Sequence, residues 1–220
     1  WMFQDWVDRQ CAGPDYINTR KQDNGFHVHS VDSEIAAAIH RWYRGRFYLF
    51  DNSAVEDDEE VGLLKIVEEA ITQRSCRFIF IDNLMTAIAD DLSSDLYRQQ
   101  SAFIRALAEM SKRLDVIIVL VVHPRKRNGY QFSNDDIAGS GNITNAVDVV
   151  LQYDEAPDRF GKPDRLLAVK KNRLTGDVSD GIDLWFDPAS KRITERKDDF
   201  SWETDRQTYI DVTGDEEVPW

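Results

Sequence analysis

Phe78-Ile79-Phe80-Ile81-Asp82 is a wholly apolar run that stops abruptly at a carboxylate. A second run, Val116-Ile117-Ile118-Val119-Leu120-Val121-Val122, stops just as abruptly at His123. Aromatic and β-branched runs without alternation predict strands buried on both faces, as in a parallel sheet covered by helices. In such sheets ligands sit beyond the carboxyl ends of the strands. Two neighbouring strands that each deliver one polar side chain to that edge therefore suggest a reaction site. In the competing reading each polar residue only marks where a strand leaves the core. The sequence after each strand weighs against it.

The bulk composition sets the limits. A chain of 220 residues is long enough for a real core and predicts one or at most two domains. Its 42% hydrophobic and 30% charged residues are those of an ordinary soluble protein. A net charge of −13 argues against a protein that coats nucleic acid with its whole surface, but not against one that offers a local basic strip. Cys11 and Cys76 lie far apart without metal spacing, which fits two free thiols in a reducing, cytoplasmic setting. No apolar run has transmembrane length, and no signal peptide is recognised. Trp1-Met2-Phe3-Gln4-Asp5-Trp6 reads as the middle of a helix, so polypeptide is expected upstream.

Outward from the two runs, helices and strands alternate. Ile35, Ala36, Ile39 and Trp42 make a helical stripe over 32–42, capped by Ser30 or Ser33 and ended by Gly45. Residues 47–51 read as a short strand, and 59–73 as a helix facing inward through Val61, Leu64, Val67 and Ile71. Residues 95–113 carry Phe103, Ile104, Leu107 and Met110 at helical spacing. This order implies crossover connections and a parallel sheet. Residues 124–141 read as a long loop, uncommon in a compact domain unless functional. Strands are expected at 147–151, 165–173 and 182–186, the last two antiparallel, with a further segment at 192–196. Residues 197–220 read as an acidic tail.

A carboxylate at the tip of a buried strand suits the water shell of Mg²⁺ in a nucleoside triphosphatase, with Asn83 assisting Asp82. His123 is placed to sense a terminal phosphate; a histidine satisfied by a backbone carbonyl is the alternative. His27 and His29 read as part of a polar turn. The loop after His123 carries Arg125, Lys126 and Arg127, then Gly129, Gly139 and Gly141. Residues 123–175 hold nine Lys/Arg against seven Asp/Glu, a balance of +2 that leaves −15 for the remainder. Such a segment fits a polyanion held by cations and glycine N–H groups; a solvated basic loop is the alternative. Lys170, Lys171 and Arg173 end a strand, where an Arg can reach a phosphoryl group on a neighbouring subunit.

Together these residues resemble the carboxyl-terminal motor domain of DnaB-type replicative DNA helicases, including phage and mitochondrial primase-helicase relatives. Residues 78–84 look like the Walker B strand, and 121–126 like the strand end carrying a γ-phosphate-sensing Gln or His. Residues 136–150, from Asp136-Ile137-Ala138-Gly139-Ser140-Gly141-Asn142-Ile143 to Ala146-Val147-Asp148, are close to the family's Asp-Leu-Arg-x-Ser-Gly-x-Ile-x-x-x-Ala-Asp segment. Residues 170–176 look like the Lys-x-Arg element. The resemblance covers residues 1–196 and implies a RecA-like three-layer α/β fold. That fold has a mostly parallel central sheet with an antiparallel carboxyl-terminal extension, followed by the tail at 197–220.

By the same resemblance, Asp82 would organise Mg²⁺ and the attacking water of ATP hydrolysis, and His123 would couple the γ-phosphate to the DNA loop. Ile137, Ala138, Gly139, Ser140, Gly141 and Asn142 would line a channel holding single-stranded DNA, with Arg125, Lys126 and Arg127 nearby. Lys171 and Arg173 would complete the next subunit's ATP site, which implies a homo-oligomeric ring, usually of six. A primase and a helicase loader are the implied partners, with no membrane. The chain departs from the family in lacking the phosphate-binding loop Gly-x-x-x-x-Gly-Lys-Ser/Thr and the catalytic Glu. It is expected to be a fragment of a helicase motor, or a natural remnant, that by itself binds ATP weakly or not at all.

Three alternatives remain open. One is a RecA-like recombinase or accessory ATPase, against which residues 136–150 argue. Another is a non-catalytic DNA-binding or oligomerisation module, which the missing phosphate loop favours. The third is a metal-dependent nuclease built on Asp82, for which no second carboxylate arrives at the expected strand ends.

Overall fold

The structure is a computed structural model that describes residues 2–50, 62–83, 96–123, 141–155 and 163–195. Helix α1 (Met2–Ala12) leads through a 3-10 turn, Pro14–Tyr16, into strands β1 (Ile17–Lys21) and β2 (His27–Val31). These form an antiparallel hairpin in which Thr19 faces His29 and Lys21 faces His27. Helix α2 (Ser33–Tyr43) is capped by Asp32, whose carboxylate accepts from the Glu34 N–H, rather than by Ser30 or Ser33. Helix α3 (Leu63–Arg74) precedes β3 (Phe78–Ile81), and α4 (Leu96–Leu114) precedes β4 (Ile117–Leu120). Then come α5 (Gly141–Ala146), β5 (Val149–Glu155), β6 (Arg165–Asn172), β7 (Ser179–Phe186) and β8 (Ile193–Thr194).

The architecture is mixed α/β. Among the described residues the strands form three separate sheets: β1-β2, β3-β4 and β5-β6-β7-β8. β3 and β4 are parallel, Phe78 beside Ile117 through Ile81 beside Leu120, as the two apolar runs predict. β7 and β8 are antiparallel. β6 and β7 are neighbours joined by six residues, too short a link for a parallel crossover.

Several expectations are corrected. Residues 47–50 are irregular, not a strand; Asp51 lies outside the described residues. His27 and His29 lie in β2, not in a turn. Strands β3 and β4 are not buried on both faces: Ile79, Ile81, Ile118 and Leu120 belong to the core cluster, whereas Phe78 is 62% and Phe80 70% exposed. Ile117 and Val119, beside them in the register, are also exposed. Helices cover one face of this pair, and the unbroken apolar run reflects a second face that is apolar yet open. The tail at 197–220 lies outside the described residues.

The chain divides into two compact units whose boundary runs through β5 and β6. The first takes the described residues of Trp1–Leu49, Gln152–Ala168 and Ser179–Trp220; the second takes those of Phe50–Leu151 and Val169–Val178. In the first, Ala12 and Ile39 are fully buried among Cys11, Tyr16, Val31, Ile35, Trp42 and Tyr43. The core of the second joins Val67 and Ile71 of α3, Ile81 of β3, Leu107 and Met110 of α4, and Val116.

Candidate functional site

The site is built where β3 and β4 end. Their pairing continues one step past Ile81, whose carbonyl accepts from the Val121 N–H at 2.9 Å. Asp82 and His123 therefore leave adjacent parallel strands at the same, carboxyl end, and both are exposed. Asn83 is half-buried, and the Asp82–Asn83 peptide is cis. Beneath them, Ile81 is held by the α3–α4 core, and Leu120 and Val122 pack, with Phe103, Ala146 and Val147, against Ile104. The strand tips are thus fixed by apolar packing while their polar residues face outward.

α5 packs on α4, and Ala146 at its end and Val147 just after it share the Ile104 cluster with Leu120 and Val122 of the strand end. Its six residues are too few to be stable alone, so tertiary contacts must hold it. The last carbonyls of a helix have no partner within it. Here two cations from the end of β6 supply one. Lys171 Nζ donates to the Thr144 carbonyl and, at 2.8 Å, to the Val147 carbonyl. Arg173 Nη2 donates to the Asn145 carbonyl at 2.8 Å, and its backbone N–H to the Asp148 carbonyl at 2.8 Å. Cations at a helix carboxyl end also oppose its negative dipole end. Asp148 lies between Arg173 and Lys112, at 3.9 and 3.8 Å. Burial is the main cause that pushes the Lys171 ammonium below its ordinary range; neighbouring Arg173 adds to this and Asp148 opposes it.

The turn after β6 keeps both cations on α5. Asn172 accepts from the Leu174 and Thr175 N–H groups at 3.0 and 3.2 Å, and Gly176 closes the turn at φ 82°. A shallow cleft of about 380 Å³ runs between α4 and α5, lined by Arg105, Glu109, Lys112 and Asn145.

The structure therefore brings Asp82 and His123 to one rim and Lys171 and Arg173 onto the helix seated beside it. Arg125, Lys126, Arg127, Ile137, Ala138, Gly139 and Ser140 lie outside the described residues. Gly141 and Asn142, expected in the loop, open α5 instead. Sequence reasoning missed the role of the α5 carbonyls and of Asp148 as an ion-pair hub. Asp148 stood within the quoted segment, but six helical residues are too few to show a periodicity. Among the described residues no three His, Cys, Asp or Glu side chains gather where they could hold a metal ion, and no helix is long and apolar enough to cross a membrane.

A second polar cluster lies in the first unit. Asp8 Oδ2 is 2.8 Å from His40 Nε2, and the Tyr43 hydroxyl lies at the edge of hydrogen-bond reach of Oδ1. Nearby Cys11 is not an activated nucleophile: burial first, then the charge of Asp8, pushes its thiol up to about 11.

Comparison with protein families finds no family model that matches this chain, and comparison with curated proteins finds no match.

Proposed function

We propose that the chain is part of the RecA-like motor of an ATP-dependent DNA helicase of the DnaB type, which moves on single-stranded DNA as a ring of copies. The observation that carries this reading is the parallel pairing of β3 and β4, which delivers Asp82 and His123 to one rim. In this reading Asp82 acts as a single carboxylate on the water shell of Mg²⁺, with the nucleotide's phosphates completing the coordination. His123 senses the terminal phosphate from the adjacent strand. Arg125, Lys126 and Arg127 and the segment 137–142 engage DNA phosphates. Lys171 and Arg173 serve a phosphoryl group bound by a neighbouring copy.

The absence of a Gly-x-x-x-x-Gly-Lys-Ser/Thr loop favours a second reading for these 220 residues taken alone, a DNA-binding and assembly module without hydrolysis. Both readings require DNA binding, and one experiment tests them. Fluorescence anisotropy with a labelled oligothymidylate should show binding at 50 mM salt that weakens steeply by 200 mM. Reversing Arg125, Lys126 and Arg127 to Glu should abolish it. No binding at 50 mM salt overturns both. Calorimetry with MgATP should give a Kd weaker than about 1 mM, since the sequence lacks the loop pattern that cradles β- and γ-phosphates.

A further inference from the structure

Lys171 commits two of its three N–H donors, and Arg173 one of its five, to backbone carbonyls at the end of α5, so an incoming oxyanion competes with those carbonyls for the cations. Each ammonium or guanidinium hydrogen now pointed at an α5 carbonyl is unavailable to an incoming oxyanion. The acceptors they hold are neutral carbonyls of Thr144, Asn145 and Val147, with one carboxylate, Asp148, at 3.9 Å. A phosphoryl group carries more charge and several acceptor oxygens. Its bonds to these cations are charge-assisted and stronger than bonds to neutral carbonyls. α5 has no spare length with which to survive the loss of its cap. It is also the first described element after the basic segment 124–140.

We propose that Lys171 and Arg173 form a latch on the carboxyl end of α5, and that a phosphoryl ligand opens it by drawing both cations away. This rests on the reading above, in which these cations meet a phosphoryl group, and adds what they hold when that group is absent. In the closed state both cations cap α5 and Asp148 keeps Arg173 beside it. In the open state α5 loses its cap. Asp148 is then a positioning residue, acting through Arg173.

The test is amide hydrogen exchange on the full 220-residue chain, with inorganic tripolyphosphate as probe and sodium chloride at matched ionic strength as control. Tripolyphosphate at millimolar concentration should speed exchange over residues 144–147 by about tenfold or more, with chloride doing far less. Arg173→Ala and Lys171→Ala should speed exchange there without the probe and remove the response to it. Asp148→Asn, which keeps both cations, should lower the probe concentration needed. Unchanged exchange at Ile81, Leu107 and Met110 in each variant shows that the core stays folded. Equal effects of chloride and tripolyphosphate, or α5 exchange unmoved in Arg173→Ala and Lys171→Ala, overturn the latch. Neither result depends on DNA binding, so the latch and the motor reading fail separately.

Discussion

Gly13 and Arg192 show how tightly single residues constrain this chain. Arg192 is only 1% exposed, and its guanidinium donates to the carbonyls of Gln10 and Cys11 at 2.7 and 3.0 Å, capping the end of α1. Gly13 lies against it at φ 73°, ψ 172°, a conformation nearly exclusive to glycine. An added Cβ would meet Arg192 Cζ at 2.7 Å. Gly13→Ala should therefore cost about 2–4 kcal/mol in urea unfolding, from backbone strain plus displacement of a buried cation. Arg192→Ala should cost a similar amount, and the double variant less than the sum.

Cys11 gives a pH dependence with a definite sign. Its folded pKa is raised from 9.0 to about 11. Below pH 9 the thiol is protonated in folded and unfolded chains alike, and its contribution to stability is fully present. That contribution is lost as the pH rises through about 11, because the unfolded chain ionises first. Cys11→Ala should flatten this part of the stability profile. At pH 8 iodoacetamide should alkylate Cys11 about 100-fold more slowly in the folded chain than in urea.

At the scale of elements, β3 separates two kinds of apolar residue that the sequence presents as one run. Ile81 is buried between α3 and α4, so Ile81→Ala should cost about 2–4 kcal/mol. Phe80, its neighbour, is 70% exposed, and Phe80→Ser should cost less than about 1 kcal/mol despite the larger side chain removed. Chemical denaturation of the two variants checks the contrast. Strand, pairing direction and polar tip were legible here because hydrophobicity and abrupt polar ends report them directly. Which face is covered was not, since that depends on where α3 and α4 dock. The β1-β2 hairpin was missed for a related reason. Asn18, Thr19, Arg20, His27 and His29 give no apolar alternation, and only Asn24-Gly25 at its tip marked the turn. Lys171 and Arg173 were legible as candidates, but not as caps, because their acceptors are backbone atoms of a helix too short to detect.

For the molecule as a whole, charge is the property with the widest reach. Residues 198–220 carry eight Asp/Glu against one Arg, net −7, so removing them takes the chain from −13 to −6. Residues 123–175 are net +2. Deleting 198–220 should tighten binding to oligothymidylate at 50 mM salt, with the two proteins converging near 500 mM as screening removes long-range repulsion. Anisotropy titrations across that range provide the measurement.

The contacts of α1 have a consequence for how the chain is made. Arg9 donates to the carbonyl of Ala189, Gln10 to that of Lys191, and Arg192 returns to Gln10 and Cys11. Partners in these contacts are thus separated by 180 residues or more along the polypeptide. During vectorial synthesis the amino-terminal helix emerges long before its docking turn exists, whereas α3, β3, α4 and β4 are translated in one stretch. The unit carrying Asp82 and His123 should therefore mature before the other, which waits for residues 189–192 to be made.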